Sequence, residues 1–281
     1  MRKLLLSTAI FATLFTACNK EETLPGDKVF ASMNAETGFY QKSLSYSYDK
    51  YKRVMTVQRM DVTNNVEKFY SEVIRFDTTG KASFTYVSTE QEHVGMKAKE
   101  LEYDSYGRVS KLKLFSSYSG LIEGYDSVAY DNLDRVTALY HYKIDGVMAP
   151  YLLAKKDIYI RDSRGNVTVS YSIPVIRNVQ SQDTTTVAYT YDDKSNYQGM
   201  TIANFIVNQS ESASWSSANN VVTKTITNPA GDSILTVTNV YTYGTDNYPT
   251  ALHQTEKWTI NGNGRPAVTT SYQLKYTFLM D

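Results

Sequence analysis

The chain of 281 residues contains a single cysteine, Cys18, so it cannot form an internal disulfide. It has no excess of charge of either sign, with 29 basic and 29 acidic side chains, and this balance gives no reason to expect nucleic acid as a partner. Beyond the first 22 residues, no apolar run approaches the roughly 20 residues that a transmembrane helix needs. These absences exclude a disulfide scaffold and a helical membrane protein.

Motifs of catalysis and metal binding are also missing. The three histidines, His93, His141 and His253, are scattered, and none has a second His or a Cys at ligand spacing. The sequence contains no Gly-x-Ser-x-Gly, no phosphate loop and no His-Glu-x-x-His. We therefore expect no cofactor, no metal and no catalytic residue, and we expect each histidine to be a surface residue or a satisfied polar contact. A carboxylate pair assembled from distant strands, as in glycosidases, stays open as an alternative.

The N-terminus has the pattern of an export signal. Arg2 and Lys3 precede a largely apolar run over residues 4–15, which is too short to span a bilayer. The run ends on Leu14-Phe15-Thr16-Ala17-Cys18, which resembles the lipobox of bacterial lipoproteins. In that family the signal is cut before the cysteine, which is then acylated. The resemblance implies a signal peptide over residues 1–17 and a membrane anchor on lipidated Cys18.

The residues after Cys18 have the pattern of a tether. Asn19-Lys20-Glu21-Glu22 resembles the signal that sends Bacteroidota-type lipoproteins to the outer face of the outer membrane. The resemblance implies an exported protein exposed on the cell surface. Pro25 and Gly26 follow in a polar segment that is typical of a flexible spacer. We predict a lipidated cysteine and tether over residues 18–35 and a single β-domain over residues 36–281.

The composition after the leader favours β-strands. The 24 tyrosines and the many Thr, Ser and Val residues are typical of strands. Polarity alternates, for example where Leu44, Tyr46 and Tyr48 share one face and serines share the other. No segment after the leader prefers a helix.

A short phrase recurs at a nearly constant period. The clearest copy is Tyr103-Asp104-Ser105-Tyr106-Gly107-Arg108-Val109, and successive aspartates of the copies are 28, 27, 27, 31 and 30 residues apart. Such a period indicates a repeat architecture. The aspartates are Asp49, Asp77, Asp104, Asp131, Asp162 and Asp192, and degenerate copies begin at Trp215 and Tyr243.

Each copy has the chemistry of a hairpin turn. Asp favours the first position of a type I turn, because its carboxylate accepts hydrogen bonds from nearby backbone N–H groups. Three positions later, a residue that tolerates positive φ allows the bulge that joins two twisted strands. Lys52 and Ser195 break this rule, so we expect those turns to be strained or differently shaped. The tolerant residues are Gly80, Gly107, Gly165, Asp134 and Asn219.

The turns predict the fold class. Eight tips, with second reversals between them, imply about 16 strands of roughly 9–10 residues each. We predict an all-β, antiparallel up-and-down meander that closes into a porin-like but water-soluble barrel with its aromatic side chains mainly inward, because closure removes free edges. Lys111 and Lys113 share one strand face, and a lysine facing the bilayer midplane costs about 2–4 kcal/mol. The second reversals are predicted at Asn64-Asn65, Gly95, Ser119-Gly120, Asp145-Gly146, Gly231-Asp232 and Asn261-Gly262.

Two resemblances accompany this pattern. Tyr-Asp with Gly-Arg at this spacing resembles the YD (RHS-type) repeats of bacterial surface proteins, which wind long hairpin sheets, over residues 43–250. Tyr191-Asp192-Asp193-Lys194 and Ser217-Ala218-Asn219-Asn220 also resemble an uncharacterised family of secreted Bacteroidota-type lipoproteins with a porin-like barrel fold. Neither resemblance implies an activity.

The sequence therefore favours a binding or scaffold module for extracellular carbohydrate or protein over its rivals. A surface hydrolase acting on polymers is the alternative, and a pore is a third hypothesis. A calcium site at the turn aspartates is disfavoured, because Ca²⁺ needs about 6–8 converging oxygens and these acids lie one per hairpin. Trp215, Trp258 and the paired tyrosines are candidates for a glycan or peptide surface.

Overall fold

The computed structural model describes residues 28–37, 40–63, 66–89, 95–144, 150–198, 205–206 and 211–278. Cys18 and the rest of the predicted leader lie outside these residues, and so do His93 and the predicted reversals at Asn64-Asn65 and Asp145-Gly146.

Sixteen long strands form one closed antiparallel barrel, in which strands that follow one another in the chain are neighbours. Pairing of the first strand with the last closes the barrel, so the predicted all-β, antiparallel, closed barrel is confirmed. The long strands are β1 (Lys28–Thr37), β2 (Tyr40–Tyr48), β3 (Val54–Thr63), β4 (Val66–Phe76), β5 (Ala82–Thr89), β6 (Met96–Tyr103), β7 (Val109–Phe115), β8 (Ile122–Tyr130), β9 (Val136–Ile144), β10 (Tyr151–Arg161), β11 (Val167–Ile176), β13 (Thr185–Ser195), β14 (Asn219–Thr227), β15 (Ser233–Tyr243), β16 (Pro249–Ile260) and β18 (Val268–Phe278). Two short strands, β12 (Val179–Gln180) and β17 (Asn263–Gly264), extend the hairpins after β11 and β16.

The barrel begins earlier than the sequence predicts. β1 starts at Lys28, so residues 28–35 belong to the barrel wall, and the predicted boundary at residue 36 is wrong. A bulge between Phe30 and Ser32 shifts the register of β1 against β18. The bulge interrupts the alternation of inward and outward side chains, which is why the alternation does not reveal this strand in the sequence.

Six copies of the repeat form hairpin turns at one end of the barrel, hereafter the motif end. In the clearest copy, Asp104 N–H donates to Arg108 O at 2.9 Å and Gly107 N–H donates to Asp104 O at 3.0 Å. The Asp104 carboxylate accepts the N–H groups of Tyr106 and Arg108, both at 2.9 Å, and Gly107 has a φ of 82°. Lys52 has a φ of 65°, so its turn keeps the same shape with a side chain in the strained region. The turns begin at Asp49, Asp77, Asp104, Asp131, Asp162 and Gly244.

The tyrosine that precedes the aspartate in most copies also has a structural role. Each of these turns ends in a register shift, which disrupts the ladder beside the first residue of the next strand. Where the following copy carries a tyrosine, its hydroxyl donates to the carbonyl of that residue. Tyr103 thus donates to Ala82 O at 2.7 Å, and Tyr130 donates to Val109 O at 2.8 Å. These tyrosines therefore connect neighbouring copies of the repeat.

Replacing Tyr103 by Phe is expected to lower the free energy of unfolding by about 1 kcal/mol, because the substitution leaves the Ala82 carbonyl without its hydroxyl donor. Urea unfolding measures the change. Tyr118→Phe is the matched control, since that side chain is 97% exposed at the opposite end of the barrel. Equal stability of the two variants would show that the tyrosine hydroxyl is not part of the tip.

The copy at Asp192, which is the sixth along the chain, does not form a hairpin turn, so the prediction of a turn at Asp192 is wrong. Asp192 lies inside β13, and residues 196–218, hereafter the insertion, connect β13 to β14. Ser195 pairs with Asn219 across the base of this connection. The copies at Asp192 and Trp215 are thus two ends of one long connection, because Ser195 does not supply the residue tolerant of positive φ that a tight turn requires.

The insertion contributes to the core at the motif end. It contains the short helix Ser212–Trp215, so the prediction that no helix follows the leader is wrong. Phe205, Ile206 and Trp215 pack against inward side chains from the barrel wall, among them Val57, Leu112, Leu139 and Val167. Within the described residues, no helix is long and apolar enough to cross a membrane.

Candidate functional site

Charged side chains line the inner wall of the barrel beyond the apolar core. Asp126 on β8 is the cross-strand partner of Leu112, which is a core residue, so Asp126 also faces inward. His141 on β9 is paired with Asp126 on one side and with Lys155 of β10 on the other. Asp157 of β10 is paired with Leu139, another core residue. Asp126, His141, Lys155 and Asp157 are hereafter the inner-wall cluster.

His141 lies between two carboxylates. Its Nδ1 atom is 2.6 Å from Asp126 Oδ1, and its Nε2 atom is 2.8 Å from Asp157 Oδ2. Lys155 Nζ is 2.9 Å from the same Asp157 oxygen. An ionised carboxylate only accepts hydrogen bonds, so between two ionised carboxylates both ring nitrogens donate, which requires the cationic imidazole.

The surroundings shift the pKa values of His141 and Asp157 so that each charged form is favoured. Burial disfavours the charged imidazole, but the hydrogen bonds to Asp126 and Asp157 outweigh it and raise the pKa of His141. Burial likewise opposes ionisation of Asp157, but His141 and Lys155 lower its pKa to about 2. The imidazolium of His141 and the carboxylate of Asp157 therefore stabilise each other.

A second ionic pair connects the wall to the insertion. Glu72 on β4 is fully buried, and its Oε1 atom is 3.0 Å from Lys99 Nζ on β6. Tyr70 donates its hydroxyl to Glu72 Oε2 at 2.6 Å. Lys99 Nζ also donates to Ile206 O at 2.5 Å, so this lysine satisfies a backbone carbonyl of the insertion inside the barrel.

The two late motifs of the sequence hold the ends of the insertion. Asn220 Nδ2 donates to Asp192 Oδ2 at 3.2 Å, and Tyr243 donates its hydroxyl to the same oxygen. Ser217 Oγ donates to Ala213 O at 2.7 Å and accepts Val167 N–H at 3.0 Å. These contacts assign a structural role to the residues that resemble the uncharacterised lipoprotein family.

Arg161 stands in place of the tyrosine in the fifth copy and also donates hydrogen bonds to the insertion. Its Nη2 donates to Val136 O at 2.9 Å. Val136 is the first residue of β9, and the corresponding carbonyls of Ala82 and Val109 accept a tyrosine hydroxyl. Its Nη1 donates to Ser216 O at 2.7 Å. This substitution in the repeat thus links the barrel wall to the insertion.

The residues predicted from sequence do not meet in one site. The carboxylates of Asp49, Asp77, Asp104, Asp131 and Asp162 accept N–H groups of their own turns. No group of three or more His, Cys, Asp or Glu side chains that could hold a metal ion occurs in the described parts of the chain. Trp215 is 3% exposed and packs edge-on against Phe205, so its prediction as a binding surface is wrong. Trp258 is exposed, and exposed His253 bonds Ser271.

No motif in the sequence reveals the inner-wall cluster as a unit. Asp126, His141 and Asp157 are 15 and 16 residues apart, a separation that matches no ligand motif. The alternation of inward and outward side chains along each strand is enough to place all three on the inner face. The alternation does not show that the three residues lie at the same level along the barrel axis, because the bulge between Leu153 and Lys155 shifts the register of β10.

No protein-family model matches this chain, and no curated protein is similar to it in sequence. A porin-like protein from Bacteroides uniformis is 9% identical, with a TM-score of 0.58 over 90% of this chain and 97% of its own. A porin-like protein from Bacteroides vulgatus is 12% identical, with a TM-score of 0.41 over 89% and 99%. A TcdB2–TccC3 chain is 7% identical, with a TM-score of 0.32 over 79% and 14%. The first of these shows a shared barrel fold.

The inner-wall cluster predicts a pH-dependent stability. Because the pKa of His141 is raised on folding, its contribution is complete below about pH 6.5, the unfolded value, and is lost as pH rises through the folded value. Because the pKa of Asp157 is lowered to about 2, its contribution is lost as pH falls from the unfolded value toward 2.

We expect His141→Gln to lower the free energy of unfolding by about 2 kcal/mol at pH 5–6, and by less at pH 9. Urea unfolding across this range tests the dependence, with His253→Gln as the exposed control. A constant difference between wild type and His141→Gln at all pH values would contradict a cationic imidazole.

Proposed function

We propose that this protein is a lipoprotein held on the surface of the outer membrane by lipidated Cys18. Its barrel is a non-enzymatic binding module for extracellular carbohydrate or protein. The observation that carries this proposal is that the interior of the barrel differs in polarity along its length. At the motif end the interior is filled by apolar side chains, while the inner wall beyond them carries an ionic cluster that solvent reaches, since the Lys155 side chain is 41% exposed.

The position of the first strand supports the proposed anchor. Lys28 pairs with Phe278 and forms an ion pair with Asp246 of a motif-end turn, so the described chain starts at the motif end. The ten residues from Cys18 to Lys28 span at most about 35 Å when extended. A lipid on Cys18 would hold the motif end near the membrane and leave the opposite end of the barrel toward the medium.

The outer face of the barrel supports a position in water. Glu100, Glu102, Lys111 and Lys113 alternate with core residues Leu101 and Leu112, so they face outward. Lys113 Nζ is 3.0 Å from Glu100 Oε1 and 2.7 Å from Glu102 Oε1. Charged side chains on a lipid-facing strand are destabilising by about 2–4 kcal/mol at the bilayer midplane. An ionic ladder of this kind suits an aqueous surface.

The alternative, a hydrolase acting on surface polymers, is supported less well by the same cluster. A glycosidase needs one carboxyl group that keeps its proton near neutral pH to protonate the leaving group. The pKa of Asp157 is shifted in the opposite direction, to about 2, by His141 and Lys155. The two carboxylates of the cluster are also both occupied by the imidazole between them.

We expect the mature chain with Cys18→Ser, which carries no lipid, to bind members of a glycan or peptide array without turning them over. Array binding and product analysis by mass spectrometry measure the two properties separately. Turnover that disappears on replacing one carboxylate, with Asp193→Asn as an exposed control, would establish the hydrolase instead.

The same unlipidated chain is expected to give no ion conductance in planar bilayers, because the insertion and the wall residues are packed together at the motif end. Steady single-channel steps at protein concentrations that leave control bilayers silent would refute the assignment and favour a pore.

A further inference from the structure

Three of the turns at the motif end carry an exposed apolar side chain at the same position. This position is the second residue after the aspartate, and it holds Tyr51, Tyr106 and Leu133, which are 64%, 74% and 64% exposed. The turn uses the backbone N–H of this residue, which donates to the aspartate carboxylate. Thr79 makes the same hydrogen bond in another of these turns, so the turn itself does not require an apolar side chain here.

These side chains belong to one continuous surface. The turns over residues 49–53, 77–81, 104–108 and 131–135 join strands that follow one another around the barrel, from β2 to β9. Arg53 Nη1 donates to Gly80 O at 3.1 Å, and Arg108 forms an ion pair with Asp134, so adjacent turns contact each other. The four turns are hereafter the tip surface.

The charge of the tip surface is nearly balanced, with six basic and five acidic side chains. In three of the four turns, the aspartate forms an ion pair with the arginine four residues later. The guanidinium groups of Arg53 and Arg108 lie 5.0 Å and 4.9 Å from the ring centroids of Tyr51 and Tyr106. The tip surface therefore presents apolar side chains beside guanidinium groups, without the excess of charge that would select a strongly anionic partner.

This combination is typical of the boundary between a bilayer and water. Tyrosine is enriched at that boundary, because its ring is apolar while its hydroxyl stays hydrated. Arginine can keep its apolar stem against the ring while its guanidinium group donates to a lipid phosphate. Exposed apolar side chains rimmed by polar groups mark contacts with membranes or with proteins, and the position of the tether distinguishes the two here.

The first strand starts at the same end of the barrel as the tip surface. Lys28 forms an ion pair with Asp246 of a motif-end turn, and Tyr48, which ends β2 beside the first of the four turns, donates its hydroxyl to Phe30 O. The ten residues from Cys18 to Lys28 reach about 35 Å at most. The ten residues of β1 are themselves about 33 Å long. A lipid on Cys18 therefore brings the tip surface to the membrane, whereas the opposite end could meet it only if the tether ran straight along the whole wall.

Exposure alone does not single out the motif end. Tyr118 and Leu121 lie in the turn between β7 and β8 at the opposite end, and they are 97% and 71% exposed. Because the tether starts at the motif end, only the tip surface combines exposed apolar side chains with a nearby anchor. The turn at the opposite end supplies matched control positions.

We propose that the tip surface docks on a lipid bilayer, with Tyr51, Tyr106 and Leu133 in the interfacial region and the neighbouring arginines at the headgroup phosphates. This inference rests on the proposed anchor at Cys18 and adds the surface that fixes the orientation of the barrel on the membrane. The opposite end of the barrel then faces the medium. Because the charge of the tip surface is nearly balanced, docking requires no anionic lipid.

The test uses the mature chain, whose one cysteine can be coupled to a maleimide lipid in phosphatidylcholine vesicles. This coupling places a lipid on Cys18 without acylation by a cell. Tyr106→Trp adds a fluorescent probe to the tip surface, and brominated phosphatidylcholine quenches a tryptophan that enters the bilayer. We expect brominated lipid to lower the added emission by about half and its maximum to shift to shorter wavelength. The coupled wild-type chain gives the background from Trp215 and Trp258.

The turn at the opposite end provides the controls. Tyr118→Trp is the matched probe there and should not be quenched. In the Tyr106→Trp chain, Tyr51→Ser together with Leu133→Ser should reduce the quenching by about half, because interfacial binding scales with the apolar area buried. Leu121→Ser in the same chain should leave the quenching unchanged. All five positions are exposed, so the substitutions should leave the core intact, and near-UV circular dichroism checks the fold of each variant.

Three results would overturn the docking. In the first, brominated lipid does not quench Tyr106→Trp in the coupled chain. In the second, Tyr118→Trp is quenched as strongly as Tyr106→Trp. In the third, sedimentation velocity shows that the uncoupled chain self-associates and that Tyr106→Ser abolishes the association, which would assign the tip surface to a second copy of this chain.

None of these results decides whether a cell acylates Cys18 or whether the barrel binds an extracellular ligand. Mass spectrometry of the N-terminal peptide, from protein purified out of cell membranes, tests the acylation separately. An unmodified Cys18 there would defeat the proposed anchor, whatever the coupled chain does on vesicles.

Discussion

The structure depends on the pairing of β1 with β18. Before this pairing, the first and last strands would each expose a row of unpaired backbone groups, and the sheet would have no interior. Closure satisfies both edges and turns one face of every strand toward a common space. The packed core at the motif end and the ionic groups beyond it both exist only because that space is enclosed. The strand that completes it is the one that follows the predicted leader.

The repeat supplies the parts that closure brings together. Its aspartate caps the turn, and its tyrosine hydroxyl takes the carbonyl that the neighbouring bulge leaves free. Arginines then join adjacent tips, since Arg53 Nη1 donates to Gly80 O at 3.1 Å and Arg108 forms an ion pair with Asp134. These local hydrogen bonds account for the regular copies and give their aspartates a structural role.

Two features of the protein, the insertion and the inner-wall cluster, do not follow from the repeat. At the sixth copy, the tight turn is replaced by the insertion, and its ends are held by Asp192, Asn220 and Arg161. On the inner wall, burying charged groups incurs a desolvation penalty that only close pairing offsets. The hydrogen bonds of His141 to Asp126 and Asp157 supply this pairing.

The sequence by itself determined the class of fold, because period-two alternation and the Asp-x-x-Gly turns are local properties that short segments specify. It also indicated where most hairpins reverse, since a positive φ at Gly80, Gly107 or Gly165 follows from the residue type. Tertiary structure alone decided that residues 28–35 close the barrel, that Phe205, Ile206 and Trp215 pack inside it, and that Asp126, His141 and Asp157 meet. The first and the third of these results depend on register between strands, which the bulges in β1 and β10 shift. Register is set by the packing of the whole closed sheet, so no single stretch of sequence contains it.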